Sequence, residues 1–246
     1  MKDGPRLYPL NGRTGVIYAG RCDLVAKVDG KPYVVDFKTG TRPKKDPYYE
    51  WRLQTAAYRF ALPQHELKGN AVLHLDKVTG LPTWYDFSDS YADDIIAWGY
   101  LIRYYCASLK GKYDPSKEAP SVTSACGVLD KSGPLMWWAT ECMEQYASMK
   151  LLELHKHRKE TEPGEPLFGL SDVLGIIDES KRNYRKVAKE AADIGSQVHA
   201  CIEGFLRTGV EPTISDDRIL AGFVAFLEWK DTVHLEVIAQ EVVCYG

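Results

Sequence analysis

The chain has 246 residues, 45% of them hydrophobic and 26% charged, with a formal net charge of −3 at pH 7. That composition supports a packed fold of one large or two small domains and excludes a disordered chain. No apolar run approaches the roughly 20 residues a membrane helix needs, and the near-balanced charge leaves nucleic-acid binding to local basic patches.

The first residues, MKDGPRLYPLNG, hold no hydrophobic stretch of the kind a secretory signal carries. Residues 16–28 read as a strand bent near Gly20, 29–31 as a hairpin turn, and 32–38 as the returning strand. A Pro- and Lys-rich loop leads to a helix over 49–62, stopped by Pro63. A second hairpin spans 70–87 and turns at 77–80. An aromatic-rich helix follows from 89 to about 109, and 110–120 reads as a linker. Helices are predicted over 134–157, over 178–207 (as one or two) and over 215–233, with a final strand at 235–246. A lone strand needs partners, and the hairpin over 16–38 is the nearest candidate. The six cysteines, at 22, 106, 126, 142, 201 and 244, form no C-x-x-C pair. That argues against a compact zinc site or a disulfide framework and suits a reduced, cytoplasmic protein, in the host cytoplasm if it is viral.

The stretch YVVDFKTG over 33–40 carries the chemistry. Residues two apart on a strand share a face, so Asp36 and Lys38 are neighbours while Phe37 points the other way. Taken alone, the pair reads more readily as a surface ion pair at a strand end. With the turn at 29–30, Asp23 falls opposite Asp36 on the adjacent strand. Two carboxylates brought together repel unless a cation or proton lies between them, and a hard divalent ion, Mg²⁺ or Mn²⁺, is the economical partner. Gln54 and Tyr58, four apart on the first helix, share one face. His199 lies in the helix IGSQVHACIE, where a lone histidine is either a packed side chain or a ligand.

Asp23, Asp36-x-Lys38, Gln54-x-x-x-Tyr58 and the G-x-x-x-H helix together resemble the PD-(D/E)xK nuclease superfamily. They are most similar to its RecB-like exonucleases, the phage and mitochondrial genome maintenance types included. The resemblance implies an α/β (α+β) fold with a restriction-endonuclease-like core: a central mixed sheet flanked by helices, one nuclease domain over 1–246. Residues 1–120 would form the sheet core and 121–246 a helical part whose final strand joins the sheet. In the family the histidine helix precedes the sheet. The order here therefore reads as a circular permutation. The late cysteine cluster of iron–sulfur members is missing, so no iron–sulfur centre is expected.

The roles implied are these. Asp23 and Asp36 hold the metal, the Phe37 main-chain carbonyl and His199 complete its shell, and Glu241 takes an outer or second-metal place. Lys38 positions or deprotonates the attacking water, Gln54 orients Lys38 or that water, and Tyr58 braces the site or touches phosphate. DNA contacts are expected from Arg42, Lys44 and Lys45 in the loop, and from Ser121 and Thr123 in the SVT stretch. Arg182, Arg185, Lys186 and Lys189 should add one basic helix face, although a solvated surface explains such a face as well. The expected activity is Mg²⁺- or Mn²⁺-dependent deoxyribonuclease action at DNA ends, favouring single strands, in recombination, repair or replication and beside proteins of those processes. A binding module without catalysis, or an endonuclease, is the alternative. No membrane partner is expected.

Overall fold

The computed structural model describes residues 18–41, 45, 47–109, 119–127, 129, 132–157 and 170–246. Arg42, Lys44 and most of the expected linker lie outside the described residues. The elements in chain order are β1 (Ala19–Val28), β2 (Lys31–Gly40), α1 (Tyr49–Ala61), β3 (Gly69–Asp76), β4 (Pro82–Asp86), α2 (Tyr91–Ser108), α3 (Val122–Cys126), α4 (Ser132–His157), α5 (Leu170–Thr208), α6 (Asp217–Thr232) and β5 (Leu235–Tyr245). They form a mixed α/β architecture around one five-stranded sheet of order β4-β3-β2-β1-β5.

Local chemistry explains the hairpins. Asp29 and Gly30 sit at φ 50° and 80°, the two positive values that a tight two-residue connection between twisted strands requires. At the other hairpin the Asp76 side chain accepts from the Val78 and Thr79 N–H groups at 2.8 and 3.0 Å, fixing the turn where the sequence places it. Between the hairpins, β2 and β3 pair in parallel, Tyr33 to Gly40 against Gly69 to Asp76. That arrangement needs a crossover, and α1 supplies it. All of β3 is buried, as expected for a strand covered on both faces.

β5 pairs antiparallel with β1 from Ala19↔Tyr245 to Val28↔Leu235. The final strand thus joins the first hairpin, as its sequence requires. Two differences have local causes. The short α3 was not predicted; its start is fixed by Ser121, whose Oγ accepts from the Ser124 N–H at 2.9 Å. The helix expected from 178 begins at Leu170 and runs unbroken, because a single interior glycine such as Gly175 costs only about 1 kcal/mol.

The described residues divide into two compact units, 1–129 with 195–246, and 130–194. The first contains the sheet. One face carries α1, α2 and α3 over a core that includes Tyr18, Val25, Val34, Leu53, Tyr58 and Trp98. Asp94 of α2 is fully buried and ion-paired to Arg52 of α1 at 2.8 Å, which ties those two helices together. The opposite face packs Phe37 edge-on to Phe226 of α6, and Trp84 flat on Trp229 at 5.2 Å. The second unit holds α4 and α5 as far as Ile194, with Tyr146 donating to Glu179 at 3.2 Å.

Candidate active site

The site begins where a ladder stops. β1 pairs with β2 from Val28↔Lys31 to Leu24↔Val35, and both strands then continue with other neighbours. Residues 19–22 pair with β5 and residues 36–40 with β3. The register would set Asp23 opposite Asp36, at the crotch of this fork. Here the ladder bond is replaced by a side chain: the Phe37 N–H donates to Asp23 Oδ2 at 2.6 Å. Asp23 is therefore built into the sheet rather than capping a turn in solvent.

Asp36 is 3% exposed. Its Oδ2 meets the Lys38 ammonium at 2.5 Å, the same-face pairing that a strand of period two demands. Its Oδ1 accepts from Gln54 Nε2 at 3.3 Å, and Gln54 also donates to the Tyr58 hydroxyl at 2.8 Å. Gln54 thus holds Asp36 rather than reaching Lys38. Tyr58 is 2% exposed, packed within the core under α1. Its ring explains Gly20: a Cβ there would lie 2.5 Å from Tyr58 Cε1. The glycine expected to bend β1 instead permits close approach of α1.

His199 enters from α5. Its Nδ1 lies 3.5 Å from Asp23 Oδ1, and its ring packs edge-on to Phe37. One helical turn earlier, a Cβ on Gly195 would come within 2.8 Å of Thr39 Oγ1. Gly195 and His199 share a helix face, so the missing side chain lets the helix settle against the end of β2 and brings the imidazole to the fork.

Burial drives Asp36 up to about 6, against the pull of Lys38 and with a further push from Asp23. For Lys38, burial works downward, but the Asp36 carboxylate outweighs it and the ammonium holds its proton above the usual lysine value. His199 behaves likewise: burial lowers it, and Asp23 more than restores it. Burial also raises the thiol of Cys22 well above its ordinary value and that of Cys244 to about 11, which leaves both as neutral packing groups.

The donor set suits a hard cation. The His199 imidazole meets the Asp23 carboxylate at 3.5 Å, and Asp36 Oδ2 is buried with no hydrogen bond beyond its ion pair. Among the described residues no three His, Cys, Asp or Glu side chains converge as a ready-made cage. An ion held here would draw much of its shell from water or phosphate, the habit of Mg²⁺.

Glu241 lies in the β5 register between Gln240, opposite Leu24, and Val242, opposite Cys22. That is the position facing Asp23. Its φ is 50°, and its carboxylate contacts Arg21 at 3.5 Å. Burial, then Asp23, raises its pKa. Two residues at this corner escaped the sequence reading. Arg21 shares the Asp23 face of β1. Glu203 follows His199 by four in α5 and adds to the upward push on Glu241. Period two and period 3.6 were the signals that pointed to them.

The residues expected to contact DNA belong to both units. Ser121 and Thr123 are exposed in α3, where Ser121 bridges Ala19 at the start of β1. Lys45 is exposed in the loop after β2. Arg182, Arg185, Lys186 and Lys189 are exposed on α5 within the second unit, where Arg182 and Arg185 line a shallow hollow with Asp178 and Lys181.

Residues 6–114 match the family model of the PD-(D/E)XK nuclease superfamily. The matched span runs through α2 and contains Asp23, Asp36, Lys38, Gln54 and Tyr58; His199 and Glu241 fall outside it. The mixed sheet with flanking helices is consistent with that fold. No curated protein and no solved structure matches the chain.

Proposed function

We propose that this protein is a Mg²⁺- or Mn²⁺-dependent deoxyribonuclease that hydrolyses phosphodiester bonds at DNA ends, favouring single strands. The observation that carries the reading is the buried Asp36, clamped between Lys38 and Gln54 beside Asp23 at the fork. The superfamily match over the same residues supports it. In this reading Asp23, Asp36, His199 and the Phe37 carbonyl hold the ion, with Glu241 outside them. When bound, the ion supplies Lewis-acid charge neutralisation at the phosphate and a more acidic water.

The chain's own residues do the rest. Lys38 holds its proton because Asp36 supports it. A cation held by Asp36 would take that support from the ammonium, and burial would then favour the neutral amine. Lys38 Nζ is then able to take a proton from the attacking water or to return one to the leaving oxygen. Gln54, with Tyr58 behind it, keeps the Asp36 carboxylate from rotating away. His199 must give up its proton to act as a ligand, so ion binding releases a proton and weakens in acid. Lys45, Ser121, Thr123 and the basic α5 residues would track the DNA backbone.

Digestion of an end-labelled linear single strand, beside the same strand circularised, tests the proposal in Mg²⁺, Mn²⁺ and EDTA. The expected result is metal-dependent loss of the linear strand alone. Cutting of both forms would make the protein an endonuclease. Binding without cutting in either metal would reduce it to a binding module.

A further inference from the structure

The cations of the site are already engaged. Lys38 is paired with Asp36 and His199 faces Asp23, while Glu203 and Glu241 add negative charge to the same corner. A polyanionic strand entering here meets carboxylates first. Among the described residues the exception is Arg21, two residues before Asp23 and on the same strand face, with its side chain 65% exposed.

Its partner among the described residues is Glu241 Oε2, at a long 3.5 Å. A guanidinium carries five donors in a planar fork, so this contact leaves most of its capacity free. The pair is exposed and contributes little to stability, so little is lost when it opens. Glu241 is itself unusual. It holds a left-handed φ of 50° in the middle of a strand, opposite Asp23, where a non-glycine residue is strained. That conformation takes its backbone out of the regular ladder at the point where its carboxylate meets Arg21.

We propose that Arg21 is a phosphate anchor for the nucleic-acid strand, parked on Glu241 until substrate arrives. This rests on the phosphodiesterase reading of the Asp23–Asp36–Lys38 site and adds the residue that draws the backbone to it. On arrival the guanidinium exchanges one long contact for a bidentate grip on two non-bridging oxygens, the geometry that arginine matches and lysine does not. Glu241 thereby sets the threshold: a ligand must offer more than one carboxylate oxygen.

The test is DNA binding, kept apart from cleavage. In a Lys38→Ala background, the affinity for a labelled single strand is measured by anisotropy in Mg²⁺ across a salt series. Adding Arg21→Ala should weaken binding about 10-fold and flatten the slope of log K against log salt by about 0.7. Arg21→Lys should restore the slope but only part of the affinity. Glu241→Gln should tighten binding roughly 2- to 5-fold by freeing the guanidinium. An unchanged slope in Arg21→Ala overturns the proposal, whether or not the variant is less stable, and leaves the nuclease reading intact. Absence of DNA binding by the parent at every salt concentration overturns both.

Discussion

Replacing Asp36 with asparagine should remove a pH dependence of stability that runs opposite to the usual aspartate. The carboxyl is 3% exposed, and burial pushes it up to about 6 despite the Lys38 ammonium beside it. An aspartate in an unfolded chain ionises near 3.9. Between those two values the folded protein keeps a proton that the unfolded chain has released. Unfolding free energy therefore falls as pH rises from about 4 to about 6 and is level above that. At roughly 1.4 kcal/mol per pH unit, the ionised, buried carboxylate costs the fold about 3 kcal/mol at neutral pH. His199 slopes in the same direction, because its raised pKa adds stability in acid that is lost as pH rises through it. Asp36 adds to that rise behind Asp23, so Asp36→Asn also trims the His199 slope, and the difference between the two proteins reads Asp36 together with this coupled part. The assay is urea unfolding in EDTA across that range, for the parent and Asp36→Asn. Relative to the variant, the parent should gain about 3 kcal/mol on going from neutral pH to about pH 4. A flat difference, or a parent that loses ground in acid, would refute the claim that burial governs this carboxyl. Repeating the series with Mg²⁺ should stabilise the parent at neutral pH and leave Asp36→Asn nearly unmoved.

Three further outcomes follow from the same geometry. Lys38→Ala should reduce cleavage of end-labelled DNA by about 10³-fold while leaving binding within a few-fold, since it removes the proton carrier and not the strand contacts; normal cutting would dismiss Lys38 from the mechanism. Asp94→Ala strands Arg52 of α1, which Asp94 now holds at 2.8 Å, and removes a carboxylate that also accepts from Ser90 Oγ at 2.6 Å. Arg52 keeps a third of its side chain in solvent, so the loss should be that of charged hydrogen bonds, about 1.5–3 kcal/mol, read as a lower urea midpoint; a loss under about 0.5 kcal/mol would show that the pair matters little. Gly20→Ala drives a methyl to 2.5 Å from Tyr58 Cε1. It should cost about 1–3 kcal/mol and lower kcat more than KM, because Tyr58 backs Gln54 and Gln54 holds Asp36; an unchanged kcat would break that chain of contacts.

Much of this site follows from the sequence, for a local reason. Alternation along a strand puts Asp36 and Lys38 on one face. The helical period puts Gln54 and Tyr58 on one face of α1. The Asp29–Gly30 turn sets the register that brings Asp23 opposite Asp36. Each relation spans a few residues or one tight turn, and backbone geometry alone enforces it. What the chain order does not reveal is where pairing ends. The β1–β2 ladder stops at Leu24↔Val35, although β1 keeps β5 and β2 keeps β3 on their outer edges on both sides of that point. That parting opens the fork, frees the Phe37 N–H for Asp23, and turns Gln54 toward Asp36. It also decides the meaning of Gly20 and Gly195, which serve close approach and not flexibility. The left-handed turn at Glu241 and its contact with Arg21, 220 residues away in the chain, belong to the same class. Such features arise when faces buried by distant segments compete for the same neighbours, and only the folded tertiary structure settles which contact wins.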